Sequence, residues 1–272
     1  MHYETIFESH KPIENKLGNI LFSALNIKLK GVVVISEALK RYYKDNYPKI
    51  SNQIYLFPDG SDPIQKKAAP SKISNDRNKI LVGYAGHLYK GKGMEVVSKL
   101  VALCPWAEFH IIGGTNGDIN LWKNQLSTYD NVFFYGFLPH KEISSYLLTF
   151  DVLVAPYQRE VAVYNQNLKR LLVDENKNVA RWMSPLKIFE YMSVGKAIVA
   201  SDLPVLKEIL KDGENALLVD PDNTDKWALA LWKLKDNEWL RERLGRLAKM
   251  EYEKRYTWIK RAENILLKTK KK

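Results

Sequence analysis

The stretch that decides the fold reads Ser184-Pro-Leu-Lys-Ile-Phe-Glu-Tyr-Met-Ser-Val-Gly-Lys-Ala-Ile-Val-Ala-Ser-Asp-Leu-Pro204. A polar turn leads into a short apolar helix that carries one carboxylate, Glu190, and Gly195 is a residue type that commonly ends helices. A β-branched strand, residues 197–200, follows at once. A helix followed directly by a strand indicates an α/β sheet, so helix N-terminal amides and a carboxylate are expected at the edge where such sheets bind ligands.

Outward from this stretch, strand and helix patterns alternate from Lys79 onward. Strands are predicted at residues 80–85, 108–112, 132–135, 152–155, 197–200 and 216–219. Helices are predicted at residues 94–103, 119–128, 143–148 and 204–210, and throughout 225–267 with Gly245 as a possible break. The intervening residues 158–181 are polar and carry no periodic pattern. The alternation predicts one complete Rossmann-like domain, with a parallel sheet covered on both faces.

The first part of the chain has fewer elements. Strands are predicted at residues 3–7, 32–35 and 54–57, helices at 17–25 and 37–43, and a polar linker at 61–78. These strands have the composition of fully buried strands, which need neighbours. Two arrangements remain open: the strands pair with a segment that this sequence lacks, or the piece packs as a stub on the second domain. The fold class is therefore α/β, one complete Rossmann-like domain plus the remnant of a second.

Composition and charge exclude several classes of protein. The 272 residues contain no apolar run long enough for a transmembrane helix and no signal-peptide pattern at the N-terminus. The single cysteine, Cys104, excludes an internal disulfide and a cysteine-rich zinc site, and it fits a cytoplasmic location and a role as buried filler. No nucleic-acid-binding motif is present, so nucleic acid is not an expected partner.

The net charge of +11 favours phosphate-bearing ligands. The dense basic cluster is the tail, which contains Lys268, Lys270, Lys271 and Lys272. It is interpreted either as a solvated, frayed end or as a peripheral contact with the inner face of the membrane. A second set of cations lies in the loop after the strand 80–85, where Lys90 and Lys92 accompany several glycines. Such a loop lets a phosphate approach the backbone, although on its own it is equally typical of a solvated turn.

Four segments, in order along the chain, resemble family 4 glycosyltransferases, the retaining enzymes of the GT-B fold. They are Gly86-His-Leu88 with Lys92-Gly93, residues 109–114, residues 132–140 and residues 151–156, followed by the stretch from Ser184. The resemblance implies that Lys92 holds the donor diphosphate. His87 replaces the family's arginine, and Lys90 is expected to supply part of the missing charge.

The stretch from Ser184 resembles the second half of the family's Glu-x7-Glu motif, in a Ser-Pro-Leu-Lys variant. Glu190 would bind the donor ribose, while the first glutamate's position holds Trp182. Lys187, as a catalytic residue, and Ser184 are the candidates for contacting the sugar. The resemblance implies these donor-binding residues: Gly86, His87, Lys90, Lys92, Gly114, Gly136, Leu138, Ser184 and Glu190.

The front piece also resembles the family. Glu8-Ser-His10 is similar to the segment whose histidine contacts the transferred sugar, so His10 is a second candidate catalytic residue. The implied division is 1–69 as the remnant of an N-terminally truncated acceptor-side domain with its linker, 70–254 as the nucleotide-sugar-binding domain, and 255–272 as a helix that crosses back to the front piece. Its apolar stripe, Trp258, Ile259, Ala262, Ile265 and Leu266, is expected to pack on the helix near residues 17–25.

The function implied by the resemblance is transfer of a sugar, with retained configuration, from a nucleotide sugar to a glycan or lipid-linked acceptor in bacterial cell-surface polysaccharide synthesis. No metal ion or cofactor is expected. Two alternatives stay open. One is a non-catalytic, nucleotide-sugar-binding chain that needs a second chain supplying the missing segment. The other is another GT-B enzyme, such as a nucleotide-sugar epimerase, whose expected carboxylate and base set is not recognisable.

Overall fold

The computed structural model describes residues 5–13, 15–25, 29–64, 73, 79–165, 170–172 and 178–270. The front region holds three parallel strands in the order β1-β2-β3. They are β1 (Thr5–Ser9), β2 (Leu29–Val34) and β3 (Ile54–Leu56), with the helices α1 (Lys16–Leu25) and α2 (Glu37–Asn46) and a 3-10 helix at Pro48–Gln53. Ser36 begins α2 as its N-cap, accepting a hydrogen bond from the Leu39 amide, as its sequence position predicts.

The second region is built on a six-stranded parallel sheet in the order β11-β10-β7-β4-β5-β6. Its strands are β4 (Ile80–Ala85), β5 (Ala107–Ile112), β6 (Val132–Gly136), β7 (Val152–Ala155), β10 (Ala197–Ser201) and β11 (Leu217–Val219). A short antiparallel hairpin, β8 (Val163–Asn165) with β9 (Arg170–Leu172), lies outside this sheet. Its helices are α3 (Met94–Leu103), α4 (Asn116–Gln125), α5 (His140–Thr149), α6 (Leu186–Val194), α7 (Pro204–Lys207), α8 (Thr224–Lys235) and α9 (Glu238–Arg255), and α10 (Trp258–Lys270) is the last described helix.

The large sheet is covered on both faces. Every residue of β7 and β10 is buried, because helices pack on each side of these central strands. Cys104 is buried between α3 and β5, as expected for a filler thiol, and burial raises its pKa to about 12. The alternation of strand and helix along the chain therefore produces the parallel α/β sheet that the sequence predicts.

Several local features differ from what the sequence predicts. The helix predicted at 119–128 begins earlier, at Asn116, because Thr115 and Asp118 form a capping box at that point. The polar segment 158–181, for which no helix or strand is predicted, contains the β8–β9 hairpin. Gly245 does not break a helix but lies inside α9, where an added Cβ would stand 2.1 Å from the Gly195 carbonyl oxygen. A glycine is needed there because α9 crosses the end of α6 in close contact.

The helix α10 packs on β2, but with a different face from the one predicted. Trp258, Ile259 and Leu266 are exposed, and so is most of the apolar stripe of α1, so the predicted contact between the two stripes is wrong. The inner face of α10 instead carries Arg261 and Thr269, both buried. Its inner face is polar because the turn after β3 presents carbonyl groups, to which Arg261 donates hydrogen bonds.

The predicted division of the chain stays a prediction. The boundary between residues 69 and 70 falls outside the described residues. The boundary after residue 254 falls one residue before α9 ends. Among the described residues, no helix is both long and apolar enough to cross a membrane, and the last two lysines of the basic tail lie outside them.

Candidate functional site

The predicted donor-binding glycines lie along one edge of the six-stranded sheet. Because the strands are parallel, β4, β5 and β6 all end at this edge. The amide of Gly86, just after β4, donates to the carbonyl of Ile112 over 2.9 Å, and the amide of Gly113 donates to that of Gly136 over 2.7 Å. The backbone at Gly86, Gly114 and Gly136 therefore forms a continuous rim at which a ligand can approach closely.

Lys187 reaches this rim from α6. It is the second residue of the helix, whose N-cap, Pro185, offers no side-chain cap, so the first amides of α6 have no capping group. Gly86 has a φ of 147°, and a Cβ placed on it would stand 3.1 Å from the Lys187 Nζ. The absence of a side chain at Gly86 thus leaves room for the amine beside the strand end.

Two lysine amines converge on the same aromatic ring. The Lys187 Nζ lies 4.1 Å from the ring centre of Tyr84 and 4.6 Å from that of Tyr157, and the Lys92 Nζ lies 5.4 Å from Tyr157. The Lys187 Nζ is buried and has no hydrogen-bond acceptor in the described part of the chain. Among the described residues, no carboxylate forms an ion pair with either of these two amines, an arrangement that suits a ligand diphosphate.

Burial lowers the pKa of both amines from the ordinary value of lysine. For Lys187 the pKa falls well below that value, mainly because of burial and secondarily because of the charge of Lys92, against the opposing charge of Glu190. For Lys92 burial is the cause. Burial therefore disfavours positive charge on these two amines, which an incoming anion would restore.

The loop between β4 and α3 is held by its own residues. The Tyr84 hydroxyl donates to the carbonyl of His87 over 2.6 Å or to that of Lys92 over 3.0 Å. The amides of Gly91 and Gly93 donate to the Glu95 carboxylate over 2.7 and 3.3 Å. Because Glu95 occupies the amides at the far end of the loop, a ligand phosphate would meet the backbone at the Gly86 end.

His87 and Lys90 are placed less favourably than Lys92. His87 is exposed and stacks on Tyr89 with ring centres 5.1 Å apart. Its pKa is lowered by burial and then by the charges of Lys92 and Lys187. Lys90 is exposed, and among the described residues no hydrogen bond or ion pair joins its side chain to the other site residues. The structure therefore brings the Lys92 and Lys187 amines together beside the Tyr157 ring, while a role of Lys90 in binding phosphate stays a prediction.

Glu190 lies one helical turn beyond Lys187 and opens into a cavity of about 250 Å³. Its carboxylate accepts a hydrogen bond from the His140 Nε2 at 2.9 Å. The cavity is lined by Asp62, Pro63, Ile64, His140, Lys141, Ile143, Ser144, Leu147 and Glu190. Sequence reasoning missed His140 as a site residue, although its position at the start of α5, directly after Leu138-Pro139, could have indicated it.

A larger cavity, about 620 Å³, lies at the β6 edge and includes Leu138 in its wall.

The front region meets α6 through Ser184. The Ser184 Oγ accepts a hydrogen bond from the Asp59 amide at 2.9 Å, and the Asp59 Oδ2 lies 3.8 Å from the His10 Nδ1. His10 is half-exposed, and its Nε2 lies 3.0 Å from the Glu8 Oε1. His10 is thereby placed close to the N-terminus of the helix that carries Lys187. Glu8 and Asp59 are further site residues that the sequence reasoning did not identify.

Glu8, His10 and Asp59 offer metal-ligand atoms within 4.8 Å of one another. The Arg261 guanidinium, 2.7 Å from Glu8, already supplies positive charge to this group. Burial raises the pKa of Asp59, against the charges of His10 and Arg261.

Trp182 occupies the expected position of the first motif glutamate. It packs with the core of the front region, with its ring centre 6.2 Å from that of Tyr42.

Solved structures of similar fold include glycosyltransferases and a synthase. The Anabaena HepE protein in complex with UDP matches with a TM-score of 0.75 over 99% of this chain and 72% of that one, at 16% identity. A sucrose-phosphate synthase of Thermosynechococcus elongatus matches with a TM-score of 0.70 over 98% of this chain and 67% of that one, at 17% identity. These likenesses confirm the GT-B fold class.

The curated relatives are longer than this chain. A phosphatidyl-myo-inositol mannosyltransferase of Mycolicibacterium smegmatis is 26% identical over 85% of this chain and 54% of its own length. A putative teichuronic acid biosynthesis glycosyltransferase of Bacillus subtilis is 26% identical over 54% of this chain and 32% of its own length. An uncharacterized glycosyltransferase of Methanocaldococcus jannaschii is 23% identical over 91% and 59%. The chain thus spans between about a third and three-fifths of the length of these relatives.

The family assignment comes from the second region. Residues 79–237, more than half of the chain, match the family described as Glycosyl transferases group 1. The matched residues include the strand edge, both lysines and the helix α6. The chain therefore belongs to the group 1 glycosyl transferases.

Proposed function

We propose that this chain is a retaining, family 4 type glycosyltransferase that uses a nucleotide-sugar donor. The observation that carries the proposal is the convergence of Lys187 and Lys92 beside Gly86, with no counter-anion among the described residues. The acceptor is a glycan or lipid-linked glycan of the bacterial cell surface, by analogy with what the names of the relatives describe. Its place of action is the cytoplasm, with peripheral contact at the inner face of the membrane.

Different residues are proposed to bind different parts of the donor. The diphosphate would lie between the two amines and the uncapped N-terminus of α6, where the helix dipole also favours negative charge. Glu190 would accept hydrogen bonds from the ribose hydroxyls inside the 250 Å³ cavity. His10 would face the transferred sugar from the front region. Positive charge from the amines and the dipole would stabilise the leaving diphosphate, so transfer is proposed to need no metal ion.

The second candidate is a nucleotide-sugar-binding chain that needs another chain for activity. The observation that favours it is the edge of the front sheet, where β1 pairs with β2 on one side only among the described residues. An open parallel edge is a surface on which further strands can add. In this case the donor would bind but sugar would be transferred only when the second chain is present.

Calorimetry with UDP, the ligand seen in the HepE structure, tests donor binding. Binding is expected. The proposal would be contradicted if UDP, ADP and GDP at millimolar concentration all gave no heat of binding.

Nuclear magnetic resonance of the sugar product then tests the stereochemistry. An α-linked donor should give an α-linked product, and an inverted anomeric configuration would contradict retention. Addition of EDTA should leave the rate unchanged.

A further inference from the structure

The helix α10 contributes a buried cation, Arg261, to the front region. Arg261, 8% exposed, donates to both oxygens of Glu8, over 2.7 Å to Oε1 and 3.4 Å to Oε2. It also donates to the carbonyls of Phe57 over 3.2 Å and Pro58 over 2.8 Å. One guanidinium therefore ties α10 to β1 and to the turn after β3, and its planar fork fixes the Glu8 carboxylate in one orientation.

The fixed carboxylate of Glu8 in turn orients the ring of His10. Its Oε1, already bound by Arg261, lies 3.0 Å from the His10 Nε2. Burial favours the neutral acid of Glu8, but the hydrogen bond and charge of Arg261 outweigh it, and the pKa of Glu8 is lowered. An ionised carboxylate can only accept hydrogen bonds, so the His10 Nε2 must be the donor. The contact thus selects both the orientation of the ring and the nitrogen that carries the proton.

Asp59 borders the other side of the ring. Its Oδ2 lies 3.8 Å from the His10 Nδ1, while its Oδ1 lies 3.9 Å from the Arg261 Nη2 and has no hydrogen-bond partner among the described residues. Its amide donates to Ser184, at the start of the segment that carries Lys187. The imidazole is therefore held between two carboxylates that both lie beside Arg261.

We propose that Arg261 is a positioning residue for sugar transfer, which acts through Glu8 to fix the ring of His10. Only the contact between His10 and the sugar rests on the proposed function. The positioning itself depends on Arg261, Glu8 and His10 alone. By this proposal α10 does more than cover the front sheet, because its buried Arg261 sets the geometry of the His10 side chain.

Long-range 1H–15N spectra of the histidine rings test the positioning directly. The sequence has five histidines, so the His10 signals can be assigned with His10→Gln. At a pH where the ring is neutral, we expect the Nε2-protonated tautomer in the natural chain and a mixture of tautomers in Glu8→Gln and Arg261→Gln. Arg261→Lys should retain part of the preference. Arg255→Gln is the matched control, because Arg255 makes an exposed ion pair with Glu251 on the preceding helix.

Turnover with UDP-sugar donors gives the second readout. Arg261→Gln and Glu8→Gln should lower kcat by about tenfold, as expected for loss of a charged hydrogen bond, with KM within about twofold. Arg261→Lys, which keeps the charge and tests the case in which Arg261→Gln fails to fold, should recover part of kcat. Unchanged His10 ring signals in Glu8→Gln and Arg261→Lys would overturn the positioning. Absence of UDP binding by the natural chain would instead overturn the proposed function and leave the ring measurement as it stands.

Discussion

The two parallel sheets of this chain differ in how completely they are covered. In the six-stranded region, every residue of β7 and β10 is buried and helices pack on both faces. In the front region, β1 is largely exposed or half-buried, and α1 exposes Leu17, Ile20 and Leu21. The six-stranded region holds both amines and Glu190, the carboxylate proposed to bind the ribose, whereas the front region supplies His10, which is proposed to be positioned through α10. The proposed donor site thus lies in the better-packed region.

The largest expected effect follows from removing α10. A chain that ends at Arg255 loses Arg261, whose charged hydrogen bonds are each worth about 1.5–3 kcal/mol. Hydrogen exchange at β1 and β2 should then rise by about a hundredfold or more, while β4 to β7 keep their protection. A chain that ends at Leu267 retains Arg261 and serves as control. Equal protection of β1 and β2 in all three chains would show that the front region does not depend on α10.

The packing of the six-stranded region can be tested at Gly245. In Gly245→Ala the new Cβ would lie 2.1 Å from the Gly195 carbonyl oxygen, so α9 and α6 must separate. The free energy of unfolding should fall by about 1–3 kcal/mol, which denaturant unfolding measures. Gly117→Ala in α4 is the control, since its Cβ would meet only the Thr115 Oγ1 at 3.7 Å. If both variants unfold alike, the close approach of the two helices is wrong.

The pH dependence of donor affinity should distinguish the diphosphate from the nucleoside. The ammonium forms of Lys187 and Lys92 attract the diphosphate, and their pKa values are lowered, so these charges are lost at lower pH than in ordinary lysines. UDP affinity should therefore be highest below the lowered pKa values and should fall by about tenfold as the pH rises through them. A tenfold change in affinity corresponds to a rise of about one unit in the pKa of an amine when UDP binds.

Calorimetry in buffers of different ionisation enthalpy should accordingly show proton uptake when UDP binds above the lowered pKa values. Uridine, which lacks the diphosphate, is the matched control ligand and should bind without that dependence. Identical pH profiles for UDP and uridine would contradict the assignment of the two amines to the phosphates.

The smallest expected effect concerns His140. Its hydrogen bond to Glu190 occupies the carboxylate that is proposed to receive the ribose, but the His140 side chain is 73% exposed. Exposed pairs contribute about 0.2–1 kcal/mol, so His140→Ala should raise the affinity for UDP and uridine alike by up to about fivefold. Calorimetry with both ligands measures the change. A loss of affinity for both would mean that His140 itself contacts the nucleoside.

The contrast between the six-stranded region and the front region also explains which features could be predicted from the sequence. The bounds of β4, α3 and β7 are those predicted, because their buried runs are flanked by clear turn and cap signals. Lys92, Lys187 and Glu190 were predicted as site residues from the resemblance of local motifs, and their roles stay predictions. The contact of Arg261 with Glu8 joins residues 253 positions apart, and no local pattern in the sequence indicates it. The polar inner face of α10 was missed for the same reason, since periodicity identifies an apolar stripe but not the surface that it meets.

The central claim is that Lys187 and Lys92 hold a diphosphate at the Gly86 rim, and paired titrations of UDP and uridine test it most directly. Lys187→Ala and Lys92→Ala should each weaken UDP by about tenfold or more, the effect of losing a charged hydrogen bond, and change uridine affinity by less than about twofold. Glu190→Gln should weaken both ligands. If Lys187→Ala binds UDP as tightly as the natural chain, or loses uridine to the same extent as UDP, the two amines do not form the diphosphate site.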